Sequence, residues 1–208
     1  MFEIEYKGAN TLVISTKKYT VVTDPKLSVA GLKDVVVKDA VELSTEERFA
    51  LNSPSAKLHF EGPGEYGFGE FDIHGIPAQR HLDASGGELL STIYRLEIGD
   101  ARVALVGNIY EKLSEDQLEE IGVVDVLILP VGGNGYTLDA TGAAAITRQI
   151  DPKVVIPIHY ADSALKYEVP QDGVEVFTKE LGAPVEEVTK YKPKSFPDLL
   201  TVIQLARS

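Results

Sequence analysis

Four histidines and no cysteine set the limits of what this chain can do with metals or proton transfer. Any metal centre must be built from His59, His74, His81 and His159 with nearby carboxylates, because no thiolate is available. His159 stands in "VVIPIHYADS" (154 to 163), directly after a run of apolar residues. Ligands of open α/β sheets gather beyond the carboxyl ends of strands, so an imidazole there is a ligand, a general base or a satisfied strand-end residue. "RHLDASGG" (80 to 87) places His81 and Asp83 in a polar, glycine-ended loop suited to a His/carboxylate pair, with no third ligand close in sequence. His59 in "KLHF" and His74 in "FDIHGI" lie in strand-like runs and read as packing or face residues.

Two glycine-rich stretches invite a different chemistry. "VGGNGYTLDA" (131 to 140) carries Gly132, Gly133 and Tyr136 between a buried strand and a helix. Backbone amides there could face a small anion such as a sugar phosphate, or the segment is a plain turn with Asp139 capping the helix. It lacks the Lys-Ser/Thr of a phosphate-binding P-loop and does not spell the dinucleotide fingerprint. "GPGEYGFGE" (62 to 70) precedes a strand rather than a helix, which argues against a phosphate cradle. No G-x-S-x-G elbow is present to support a serine hydrolase.

The elements that must position these residues follow from periodicity. Glu3 to Tyr6, Thr11 to Ser15 and Tyr19 to Thr23 read as short strands separated by turn-like breaks. "STIYRLEIGDARVALVGN" (91 to 108) reads as a hairpin turning at Gly99-Asp100. Beyond it, helix-like "SEDQLEEIG" (114 to 122) and "DATGAAAITRQI" (139 to 150) alternate with buried strands "VDVLILP" and "KVVIPI". Such alternation implies a sheet covered by helices on at least one face. A helix over Val174 to Leu181 and strands Val185 to Thr189 and Leu199 to Leu205 complete the chain.

At 208 residues one domain, 1 to 208, accounts for the whole sequence. A formal charge of −12 argues against a nucleic-acid partner. No apolar stretch is long enough to span a membrane, and "MFEIEYKGAN" does not read as a signal peptide, so a cytoplasmic location is expected.

Taken together, "TDP" (23 to 25), "EGPGEYGFGEFDIHGIP" (61 to 77), the 91 to 108 hairpin, "LSEDQLEEIGVVDVLILPVGG" (113 to 133) and "DPKVVIPIHY" (151 to 160) resemble the metallo-β-lactamase-fold hydrolases. The likeness is to their short bacterial branch, similar to L-ascorbate-6-phosphate lactonase. It implies an α/β, four-layer αββα sandwich with a metal site along one edge between the two sheets. It implies also that homo-oligomers are common.

The resemblance locates the metal ligands, and most are replaced here. The H-x-H-x-D-H motif should follow the strand "DAVELS" (39 to 44), which puts Thr45 and Glu47 at the first two histidines and Phe49 and Ala50 at the aspartate and last histidine. The next histidine falls near His81, the bridging aspartate on Asn108, and the closing "HY" on His159; Asp24 belongs to the same edge. Residues 28 to 58 contain no histidine. A catalytic zinc needs about three protein ligands with an open position, and two-metal hydrolysis needs a bridging carboxylate as well. The resemblance therefore implies a remnant site of His159, Asn108, His81, Asp83, Glu47 and Asp24, with no cofactor expected. If a metal binds, His81 and His159 with Glu47, Asp83 and Glu111 would hold a single zinc or manganese.

The replacement sequence carries its own structural signal. Ser44 and Glu47 spell S-x-x-E, predicting a capped helix over Thr45 to Leu51, and Ser114 with Gln117 repeats the device.

Overall fold

The computed structural model describes residues 1–83 and 87–208. Two sheets face one another. The smaller contains β1 (Glu3–Gly8), β2 (Thr11–Ser15), β3 (Thr20–Thr23), β4 (Val41–Ser44) and β5 (Leu58–Glu61), in that spatial order. Its first three strands pair antiparallel, and β3, β4 and β5 run parallel.

The larger sheet holds β6 (Gly64–Phe68), β7 (Phe71–Ala78), β8 (Ser91–Ile98), β9 (Ala101–Leu105), β10 (Val126–Pro130), β11 (Val154–Ile158), β12 (Val185–Val188) and β13 (Thr201–Leu205). Its order is β12-β13-β11-β10-β9-β8-β7-β6. β6 to β9 form an antiparallel meander, and β9 to β13 are parallel. The glycine-dense "GPGEYGFGE" is itself the edge strand β6.

Side-chain alternation along the large sheet divides the core in two. Val103, Leu105, Val126, Ile128, Val154 and Ile156 point toward Ile4, Leu12, Ile14, Val21 and Leu43 of the small sheet. Ala104, Leu127, Leu129 and Val155 point the other way. They pack under three helices: α1 (Glu115–Ile121), α2 (Ala140–Ile150) and α3 (Val174–Leu181). The parallel strands are covered on both faces, so they read as continuous apolar runs. α1 begins at the expected capping box: Ser114 Oγ accepts the Gln117 N–H at 3.1 Å, and Gln117 Oε1 accepts the Ser114 N–H at 2.9 Å. Asp139 caps α2 by accepting the Gly142 N–H at 2.7 Å.

The two facing sheets are the architecture that the resemblance implies. Over the small sheet, the described residues that link β3 to β4 and β4 to β5 form only short 3-10 turns, Leu27–Ala30 and Glu47–Phe49. The helix expected over Thr45 to Leu51 is therefore replaced by the second of these turns, and the Ser44/Glu47 capping box is not made. The physical reason is competition. Ser44 ends β4, the Thr45 N–H is given to a side chain of a neighbouring strand, and Glu46 is extended at φ −144°, ψ 150°. The first turn of a helix cannot start from those dihedrals.

Candidate functional site

Five strand ends converge at one edge of the sandwich. Asp24 follows β3, Thr45 follows β4, Asn108 lies just beyond β9, Gly132 just beyond β10, and His159 directly follows β11. These are the carboxyl ends of parallel strands, where α/β sheets place their sites.

His159 is buried, at 2% exposure, and takes a left-handed conformation, φ 52°, that turns its ring back from the strand direction. Its N–H donates to the Ala9 carbonyl at 3.0 Å. Nδ1 lies 2.7 Å from Asn10 Oδ1, an acceptor, so Nδ1 carries the proton and Nε2 is a bare acceptor. Nε2 is buried and has no hydrogen-bond partner among the described residues. The ring packs against Tyr167 and Tyr136, with centroids 4.6 and 5.5 Å away. Burial, reinforced by the Arg48 charge, holds the imidazole neutral by lowering its pKa to about 3.

Asp24 is equally buried. Its Oδ1 accepts the Thr45 N–H and its Oδ2 accepts the Thr45 hydroxyl, both at 2.7 Å. Desolvation nevertheless outweighs these bonds and pushes its pKa up to about 7. The Thr45 hydroxyl is thus committed to a carboxylate. Gly107 accommodates this, since a Cβ there would lie 2.8 Å from Thr45 Cβ and Oγ1.

The charged centre comes from the two residues flanking Glu47. The Glu46 side chain is 1% exposed, and its Oε2 lies 2.9 Å from Arg48 Nε. That contact is an ion pair rather than an aligned hydrogen bond; the hydrogen bond runs from Arg48 Nη2 to Glu46 Oε1 at 3.1 Å. Arg80 Nη1 lies 3.8 Å from the same carboxylate, and the Asn108 amide donates to it at 3.5 Å. Burial raises the Glu46 pKa against the pull of Arg48 and Arg80. The Arg48 guanidinium rests 4.6 Å above the Phe49 ring and 4.7 Å above the Tyr136 ring, both within cation–π range. Phe49 is the buried backing of this arginine.

Of the other sequence candidates, His81 and Asp83 border this centre through Asn108 and Arg80. Glu47 and Glu111 are exposed. Asp83 pairs with Arg80, and the His81 N–H donates to the Asn108 carbonyl at 2.9 Å. The loop between Asp83 and Gly87 lies outside the described residues. His59 and His74 bind carboxylates on their own faces, Glu42 and Glu120, each at 3.0 Å. The Gly132-Gly133 loop is packed under the segment after Tyr167: Gly132 O accepts the Asp172 N–H at 2.8 Å, and Asp139 and Asp172 flank Gly133. Those carboxylates disfavour an anion there. Tyr110 lines a separate cleft of about 370 Å³ between β7 and α1.

Asn10, Glu46 and Arg48 are the site residues that sequence reading misses. The one signal was an acid and a base at two consecutive spacer positions of the replaced motif.

This donor set does not fit a metal. Thr45 is tied to Asp24, Asn108 is neutral, Glu46 already faces two guanidinium groups, and Arg48 brings a positive charge toward His159. Among the described residues no three His, Asp or Glu side chains are placed to hold an ion.

The loop leaving β4 also ties the two sheets together. The Thr92 N–H of β8 donates to the Thr45 carbonyl at 2.8 Å, and the Tyr94 hydroxyl donates to the Ser44 carbonyl at 3.0 Å.

Known proteins share this arrangement of strands. A solved Thermotoga maritima structure, titled as a Zn-dependent hydrolase of the metallo-β-lactamase superfamily, superposes with a TM-score of 0.76 at 22% identity, over 99% of this chain and 100% of that one. Igni18, a metallo hydrolase from Ignicoccus hospitalis, gives 0.65 at 16% identity, over 87% and 90% of the two chains. These likenesses establish the fold. In sequence, a UPF0173 metal-dependent hydrolase from Natranaerobius thermophilus is 29% identical over 124 residues, 60% of this chain and 52% of that protein. Its counterpart from Carboxydothermus hydrogenoformans is 32% identical over 101 residues, 47% and 44%. The chain spans about half the length of the curated relatives it matches. The model of the beta-lactamase superfamily domain matches residues 3–159, three quarters of the sequence, and the chain belongs to that superfamily.

Proposed function

We propose that this protein is a metal-free, non-catalytic member of its superfamily, serving as a binding or assembly module as a single cytoplasmic domain. The observation that carries this reading is the Arg48–Glu46 pair, which puts a fixed cation and its counter-ion at the strand ends where relatives named metal-dependent hydrolases are expected to hold metal. Two like charges in one desolvated site repel strongly, so a resident guanidinium opposes a divalent ion. Purification without chelators followed by elemental analysis tests it. No stoichiometric metal is expected; one or more tightly bound zinc or manganese ions per chain would sink it.

A second reading is favoured by two buried ring nitrogens, His159 Nε2 and His81 Nδ1, that have no hydrogen-bond partner among the described residues. It is a hydrolase of lactonase or phosphodiester type with a single metal held by His81 and His159. On this reading His159→Ala abolishes metal uptake together with esterase, lactonase or phosphodiesterase turnover. Turnover equal to the unaltered protein rules it out.

A further inference from the structure

The site buries two carboxyl groups, Asp24 and Glu46, at the strand ends, and it must balance them within the protein. We infer that the Arg48 guanidinium is a built-in replacement for the metal, a covalently tethered cation that holds Glu46 and closes the strand-end pocket. This inference rests on the metal-free reading above and deepens it by naming what took the metal's place.

Three independent features support it. The pairing is two-pronged, with contacts of 2.9 and 3.1 Å to opposite oxygens of a carboxylate that is 1% exposed. The guanidinium is planar and weakly hydrated, and here it is layered against Phe49 and Tyr136, which replaces the water that an ammonium would need. Tyr136 in turn stacks on His159, so the cation is fixed against a histidine that the resemblance assigns to the metal site. The other charged groups facing the pair are Arg80, 3.8 Å from Glu46 and itself paired with Asp83, and Asp24, which is committed to Thr45. Neither is positioned to take over both oxygens of Glu46.

Removing a tethered cation should leave a buried carboxylate without its partner. The experiment compares native protein, Arg48→Ala, Glu46→Gln and the Arg48→Ala/Glu46→Gln double variant by thermal unfolding, with and without millimolar Mn²⁺ or Zn²⁺, and by elemental analysis after desalting. Arg48→Ala is expected to lower Tm by roughly 10 °C. The double variant should regain most of that loss. Divalent metal should leave the Tm of all four proteins unmoved, since among the described residues no three His, Asp or Glu side chains are placed to hold an ion.

An Arg48→Ala protein as stable as native, or a double variant that merely adds the two single losses, would overturn the inference. Those outcomes leave a metal-free native protein intact as a reading. Stoichiometric metal in the native protein would instead remove both. Should Arg48→Ala fail to fold, Arg48→Lys carries the comparison. It restores charge without the fork, and a Tm equal to native would overturn the two-pronged role.

Discussion

Thr45 and Asp24 are joined twice, through a main-chain N–H and a hydroxyl, each 2.7 Å from a different oxygen of the same buried carboxyl. The pair closes the gap between β3 and β4 at the strand ends. Thr45→Val keeps the shape and removes the hydroxyl, leaving a buried oxygen without a partner. The expected loss is about 1–3 kcal/mol in urea unfolding, and Thr45→Ser should recover most of it. An unchanged midpoint for Thr45→Val would show that the hydroxyl contributes nothing.

Two buried groups give the protein opposing responses to pH. Asp24 has a folded pKa of about 7, above the ordinary carboxyl value, so its contribution is full at low pH and is lost as pH rises from about 4 through 7. His159 has a folded pKa of about 3, below its ordinary 6.5. Its contribution is present above pH 6.5 and is lost as pH falls from there toward 3. Between roughly pH 4 and 6.5 the two slopes cancel. Relative to native protein, Asp24→Asn should therefore gain stability steadily as pH rises across that window, and His159→Gln should lose it. Unfolding midpoints at half-unit pH steps check this, and parallel curves for all three proteins would contradict it.

The turn after β10 has no room for a side chain. A Cβ at Gly132 would run into the His159 carbonyl oxygen, a backbone atom, and into the Gln171 side chain. Gly132→Ala is expected to cost about 3 kcal/mol by overpacking. Trimming the movable neighbour with Gln171→Ala should not restore it, because the carbonyl stays in place.

At α1 the capping box can be tested in isolation from the site. Ser114→Ala should cost about 1 kcal/mol in a denaturant titration. Gln117→Ala should cost at least as much, since the same side chain also donates to the Pro77 carbonyl at 2.8 Å. A larger loss for Ser114 than for Gln117 would argue against that second bond.

Periodicity made the sheet core legible. Val126–Pro130 and Val154–Ile158 are continuous apolar runs because both faces are covered, and Val174–Leu181 is bounded by glycines at Gly173 and Gly182, which fixes its ends. The position of His159 at a strand end was legible for the same reason. What failed was Ser44 to Leu51. The letters of a capping box were present, but Asp24 takes the Thr45 N–H and Tyr94 the Ser44 carbonyl, and both are distant in sequence. Arg48 and Glu46 were invisible for a related cause. Charged residues in a short polar stretch ordinarily face solvent, and only the convergence of five strand ends buries the carboxylate of this pair. Asn10 lies in a turn whose spacing gives no hint that it meets His159, 149 residues away.

The bonds from Thr92 and Tyr94 to the loop after β4 give one backbone amide a particular meaning. The Thr92 N–H points across the sandwich instead of toward water, so deuterium reaches it only when its bond to the Thr45 carbonyl opens. Its exchange rate is a clock for that opening. If the loop after β4 came loose alone, this amide would label early while its neighbours within β8 stayed dark.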